Sequence, residues 1–141
     1  MPKARITLRY IIALYLFAFG CSQQESSMSL QDAKDTALKF SNLMSSRNYD
    51  DAYEMTAKKF KENLSVKELQ SNFEDMIPSD WGEISPIEVG ETMMQWPAKE
   101  SSDIAWVYVI LGGDIYSEAL TLVVTEEENS IKIRDIEFGR P

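Results

Sequence analysis

Ile104-Ala105-Trp106-Val107-Tyr108-Val109-Ile110-Leu111, then Gly112-Gly113-Asp114, then Ile115-Tyr116-Ser117-Glu118-Ala119-Leu120-Thr121-Leu122-Val123-Val124-Thr125, is the stretch on which the fold turns. Its β-branched and aromatic residues, parted by two glycines, read as an antiparallel hairpin with its turn at Gly112-Gly113. The first arm is apolar at both parities. A sheet with one wet face alternates, so both faces of this strand are expected to be covered. If helices cover one face, the other carries either Trp106 and Tyr108 or Val107 and Val109. That face needs a partner chain, a ligand or a folded-back segment such as 93–97.

The pattern continues on either side of the hairpin. Glu126-Glu127-Glu128-Asn129-Ser130 reads as an exposed acidic turn before a last strand that begins at Ile131. In that strand Ile131 and Ile133 share one parity, Ile136 and Phe138 the other, so a β-bulge is expected near Arg134-Asp135. Upstream, Ile87 and Val89 flank Glu88 in a first, glycine-interrupted strand that can continue through Met93 to Trp96.

Before Pro78 the period is that of a helix. Leu30, Ala33, Ala37, Phe40 and Met44 recur on one stripe behind Ser29 and Asp32, a cap and an acidic first turn, which predicts a helix ending near Ser46. Asp50 can cap a second helix with Ala52, Tyr53, Thr56, Phe60 and Leu64 inward and Lys58, Lys59 and Lys61 in water. The short link Arg47-Asn48-Tyr49 makes these two antiparallel. Ser65 and Glu68 form a capping box for a third, whose stripe of Val66, Leu69, Phe73, Met76 and Ile77 stops at Pro78. The sum is an α+β domain over 29–141: three N-terminal helices packed on one face of a curved antiparallel sheet of about four strands.

Ahead of the domain stands a different kind of segment. Lys3, Arg5 and Arg9 precede an apolar run over 10–19, then Gly20 and Cys21, the layout of an export signal over 1–20. The run is about half the ~20 residues that a membrane-spanning helix requires, so it is expected to be removed rather than kept as an anchor. Ala18-Phe19-Gly20-Cys21 resembles the box that closes the signal of bacterial lipoprotein precursors, with Phe19 departing from the small residue usual there. The resemblance implies cleavage between Gly20 and Cys21 and lipid on Cys21. It also implies several acyl chains, each buried CH₂ contributing ~0.8 kcal/mol to membrane attachment. An independent consideration agrees. Cys21 is the single cysteine, and an unpaired thiol in an oxidising compartment is a liability unless its sulfur is held as a thioether. Ser22 stands where the family's inner-membrane retention signal has Asp, which implies the periplasmic leaflet of the outer membrane. Polar, aperiodic Ser22-Gln23-Gln24-Glu25-Ser26-Ser27 completes a flexible tether over 21–28.

The element order, the corner Phe40-Ser41-Asn42-Leu43-Met44-Ser45-Ser46-Arg47-Asn48-Tyr49-Asp50-Asp51-Ala52-Tyr53, and the closing Ile131-Lys132-Ile133-Arg134-Asp135-Ile136-Glu137-Phe138 resemble the nuclear transport factor two-like, cystatin-like cone superfamily. In that group a helix ends in a polar corner with Asn or Asp before Tyr, and the next begins with Ala-Tyr. Some members are enzymes that place Tyr, Asp and often His inside the cone. Tyr53, Tyr108 and Tyr116 could face such an interior and Asp103 or Asp114 lie near its mouth, but with no histidine and no matching local motif none of those enzymes' catalytic residues carries over.

The chemistry visible in the residues is sparse. There is no histidine, and the one cysteine is assigned to lipid, which removes the usual general bases, thiol nucleophiles and zinc ligands. No phosphate-cradling glycine loop or nucleophile elbow occurs, and the carboxylate runs lack the spacing of a calcium loop, so no cofactor and no metal are implied. Three of the 14 basic residues precede Cys21, leaving 11 against 23 acidic ones from there on, a net charge of −12. Such a field repels phosphate backbones and anionic headgroups, so nucleic acid is excluded as a partner. The candidate ligand or interface residues are the aromatics Trp106, Tyr108, Trp96 and Tyr53. The expectation is a lipid-tethered, non-enzymatic binding or interaction module of the cell envelope, its sheet surface or cone cavity meeting a protein or a small apolar ligand, with a homodimer mate or an envelope protein as the partner for the outer sheet face. The alternatives are a cone-fold enzyme acting on a small hydrophobic substrate through Tyr and carboxylate groups, and an accessory subunit of an envelope assembly.

Overall fold

The computed structural model describes residues 28–84 and 87–140. The expected signal, its cleavage point at Gly20 and Cys21, and the tether to residue 27 lie outside them. The elements are α1 Leu30–Ser45, α2 Tyr49–Glu54, α3 Lys58–Asn63, α4 Val66–Met76, a short 3₁₀ turn Ser79–Trp81, and strands β1 Ile87–Met93, β2 Asp103–Gly112, β3 Ser117–Glu127 and β4 Ser130–Phe138. None of the described helices is long and apolar enough to cross a membrane.

Helix α1 starts where Ser29 and Asp32 hydrogen-bond reciprocally, the Asp32 amide donating to Ser29 Oγ and the Ser29 amide to Asp32 Oδ2. The Ser29 hydroxyl, donating to Asp32 Oδ2 at 2.7 Å, and then the Ser29 amide hold the Asp32 carboxyl below its ordinary range. Its expected stripe is in the core, with Ala33, Ala37, Phe40 and Met44 buried. The helix closes in a Schellman arrangement: Arg47 N donates to Met44 O at 3.0 Å and Asn48 N to Leu43 O at 2.9 Å, with Arg47 at φ 60°. Glycine is usual at that left-handed position. Here the side chain compensates, since the guanidinium donates to Ile77 O at 3.0 Å and to the Tyr49 hydroxyl at 3.1 Å, stapling the corner to the end of α4.

The expected second helix is two, so the described residues contain four α-helices rather than three. The break is a competition for backbone hydrogen bonds. Ala57 N donates to Ile133 O at 2.8 Å and Ile133 N to Met55 O at 3.0 Å, making a parallel bridge between Thr56 and β4. Thr56 Oγ1 also donates to Tyr53 O, ending α2. The inward stripe survives, with Ala52, Thr56 and Phe60 buried and Tyr53 and Leu64 half-buried. An apolar stripe reports which residues face the core, not whether the helix between them is continuous. The α4 box forms as expected between Ser65 and Glu68, with Leu69 and Phe73 buried.

The strands form one open antiparallel sheet in the order β1-β2-β3-β4. The expected bulge in β4 is present: Ile133 pairs with Val124 and Asp135 with Val123, leaving Arg134 as the extra residue. Two further bulges fall at Gly90 and Ile104. Strand β1 stops at Met93 and does not reach Trp96. The hairpin turn is longer than expected, running from Gly113 to Tyr116, so β3 begins at Ser117 and Ile115 is 75% exposed. A Cβ at Gly113 would lie 2.4 Å from the Tyr116 ring that folds back over it, so any other residue there would displace that ring. The β3–β4 turn has Glu128 and Asn129 at φ 51° and 60°, the conformation of a two-residue type I′ hairpin.

One parity of the sheet, Ala105, Val107, Val109 and Leu111 of β2 with Leu120, Leu122 and Val124 of β3 and Ile133 of β4, packs against Ala33, Phe40, Met44, Leu69, Phe73 and Ile77. All of these are fully buried. The core and both capping boxes close within 28–140, so a chain beginning at Met28 contains what holds the domain together.

Candidate functional site

The choice between parities is settled by this packing. Val107 and Val109 face the helices; Trp106, Tyr108 and Ile110 lie on the other side, half-buried and outside the helix-facing core and its margin. Trp106 and Tyr108 stack nearly parallel, with ring centroids 6.2 Å apart and planes at 11°. They stand opposite smaller residues of β3: Trp106 faces Val123, Tyr108 faces Thr121 and Ile110 faces Ala119. Those three are buried in the space beside the larger side chains. On the β1 side, Gly90 makes room, since a Cβ at that position would lie 3.0 Å from both the Tyr108 ring and Ile110 Cδ1. Met93, opposite Trp106, extends the apolar strip.

The strip is flanked by carboxylates on both outer strands. On β1, Glu88 pairs with Ile110 and Glu91 with Tyr108. On β4, Asp135 pairs with Val123 and Glu137 with Thr121. All four are exposed. Among the described residues Glu88, Glu91 and Glu137 form no ion pair. Asp135 accepts from the Ile136 amide and adds its field to Arg134.

The sequence-predicted residues therefore do not converge. Trp106 and Tyr108 share the outer face, whereas Tyr53 belongs to the helical layer, edge-on to Phe60, its hydroxyl donating to Leu64 O at 2.9 Å. Trp96 follows β1 with Lys99 Nζ 5.5 Å above its ring. Tyr116 lies in the hairpin turn against Trp81, its hydroxyl donating to Glu83 O, and burial pushes its phenol up. Asp114 is exposed in the same turn. A cone interior holding Tyr53, Tyr108 and Tyr116 is thus corrected, because Tyr108 is on the face away from the helices.

Asp103, expected near a mouth, is instead a structural anion. Arg134, the bulge residue of β4, reaches over β3 to grip it with Nε at 2.8 Å and Nη2 at 2.7 Å. Glu100 adds a contact to Arg134 Nη1 at 3.3 Å, and the hydrogen bonds that the guanidinium donates to Asp103 raise its affinity for its proton. Sequence reasoning missed this pair and had only the parity break at Arg134 as a signal.

One phenol does sit beside a carboxylate. The Tyr49 hydroxyl donates to Glu74 Oε1 at 3.1 Å while accepting from Arg47, and burial pushes its proton affinity up. It lines a solvent-open hollow of about 580 Å³ with Asn48, Lys67 and Gln70. The hydroxyl is engaged on both sides, by Arg47 and by Glu74, in holding the α1–α2 corner to α4. A hollow of about 610 Å³ between α1 and the start of β4 is also open. Among the described residues no group of three or more metal-ligating side chains converges.

No family model matches the chain, and no curated protein matches it. The feature that distinguishes the described domain is the acid-flanked aromatic strip on the sheet face turned away from its helices.

Proposed function

We propose that this chain is a lipid-tethered binding module of a bacterial envelope that docks a partner protein on the outer face of its sheet. The observation that carries the reading is the stacked Trp106–Tyr108 pair with Ile110 and Met93, an apolar strip on the face that the helices do not touch. Such strips with polar margins are characteristic of interaction sites on single domains. The Arg47-Asn48-Tyr49 corner and the element order support placing the domain in the nuclear transport factor two-like superfamily, acting by placement and capture rather than by bond chemistry. The charge layout before Cys21 supports export, and the lone cysteine supports acylation.

Two measurements test the two halves. Radiolabelled palmitate should enter the wild-type chain and be absent from Cys21→Ser; an unmodified mature protein released in soluble form from wild-type cells would end the anchoring half. A photo-cross-linking residue placed at Tyr108 should give a discrete adduct in intact cells, whereas the same residue at exposed Gln70 of α4 should not. Equal adduct patterns from both positions would end the docking half.

A further inference from the structure

We infer that the occupant of the outer face is a basic amphipathic helix of a partner protein, its apolar stripe lying on Trp106 and Tyr108 and its Lys or Arg flanks meeting the carboxylates of β1 and β4. This rests on the docking reading and names the chemistry of the partner. Glu88 and Glu91 stand on one outer strand, Asp135 and Glu137 on the other, with the aromatic strip of β2 and the small residues of β3 between them. Adjacent strands lie ~4.8 Å apart, so the two acidic rows are separated by ~14 Å. A helix with its side chains is ~10–12 Å across, which fits between the rows and lets long cationic side chains on its flanks reach both. Of the two described cations of the sheet, Arg134 is engaged by Asp103 and Glu100 and shares its field with Asp135, and Lys132 donates to Glu54 O, so Glu88, Glu91 and Glu137 are left without an ion pair among the described residues.

The same rows disfavour a second copy. Packing this face on itself through a two-fold axis, whether along the strands or across them, lays an acidic outer strand over an acidic outer strand. Like charges so placed oppose association, and an anionic lipid surface is repelled for the same reason. A cationic partner gains from the field that the other two must overcome.

The test uses the fragment 28–141 and three synthetic peptides of about 18 residues, ~27 Å as a helix. One has a leucine stripe with lysine flanks, one has the same stripe with glutamate flanks, and one has the lysine composition scrambled so that no stripe forms. Tryptophan fluorescence and calorimetry should show the striped lysine peptide binding at least tenfold more tightly than either control. Its affinity should fall several-fold between about 0.05 and 0.5 M salt as the Debye length shrinks. Glu91→Lys with Glu137→Lys should reverse the preference toward the glutamate peptide, and Glu91→Gln with Glu137→Gln should weaken the lysine peptide without reversing it. Circular dichroism confirms that each variant is folded. Equal binding of the scrambled peptide, or of the glutamate peptide, overturns the inference. So does a fragment that sediments as a dimer dispersed by Tyr108→Glu, which would make the occupant a second copy. If no peptide binds while the Tyr108 adduct still forms in cells, the docking reading stands and the basic helix falls; loss of both removes both.

Discussion

Replacing Asp103 with alanine is expected to destabilise the domain by ~3–5 kcal/mol, because it leaves a largely buried guanidinium without its principal anion. Asp103's side chain is fully buried and Arg134's is 11% exposed, so water cannot replace the lost partner. The carboxylate also accepts from the Glu100 amide at 2.8 Å, so truncation removes a third hydrogen bond along with the two to Arg134. Glu100 remains 3.3 Å from Arg134 Nη1 but is 43% exposed, which places the expected loss toward the lower end of that range. A domain of this size has ~5–15 kcal/mol of stability in all, so the effect should be plain in urea melts at neutral pH. Replacing both partners, Asp103→Leu with Arg134→Met, should recover much of it, since a buried pair often stabilises little more than apolar residues of similar volume. A double-mutant cycle with Arg134→Ala isolates the coupling. A loss below ~1 kcal/mol in Asp103→Ala would mean that Glu100 alone suffices to hold the guanidinium.

The ion pair also shows where the sequence stops being informative. Asp103 and Arg134 are 31 residues apart, and no local pattern joins them. What was legible depended on neighbours in the chain. The Ser29–Asp32 and Ser65–Glu68 boxes could be read because each cap closes over three residues. The β4 bulge could be read because Ile133 and Ile136 break the two-residue period inside one strand. The split between α2 and α3 could not, since it depends on β4 offering Ile133's backbone to Met55 and Ala57 across 76 residues or more. The hairpin turn was placed too early because a glycine pair marks a turn, while its length depended on Tyr116 folding back over Gly113. For the outer face, the double apolarity of β2 implies a second face that something must cover, but only the register shows that Glu88, Glu91, Asp135 and Glu137 line it on both sides.

Phe73→Ala should be comparably costly for a different reason, ~3–5 kcal/mol through a cavity rather than an orphaned charge. Phe73 is fully buried at the centre of the α4 stripe, between Leu69 and Ile77, which are fully buried as well. Its ring lies 6.2 Å from that of Tyr49, edge to face, and 5.4 Å beneath the Arg47 guanidinium. Removing it therefore opens a void and takes the apolar floor from the clasp that holds the strained Arg47 corner to the end of α4. Phe73→Leu keeps most of the volume and should cost less, on the order of 1–2 kcal/mol. Denaturant melts give the magnitude, and amide exchange gives the location: protection should fall in α4 and at the α1–α2 corner before it falls in β2 and β3. A change below ~1 kcal/mol would mean that α4 packs too loosely to matter. Because Phe73 lies on the helix side of the sheet and Tyr108 on the opposite side, Phe73→Ala at temperatures where it stays folded should bind the striped lysine peptide as the wild type does. Tyr108→Glu should show the reverse, with lost binding and a melt close to the wild type's, which separates what stabilises this domain from what it uses to meet a partner.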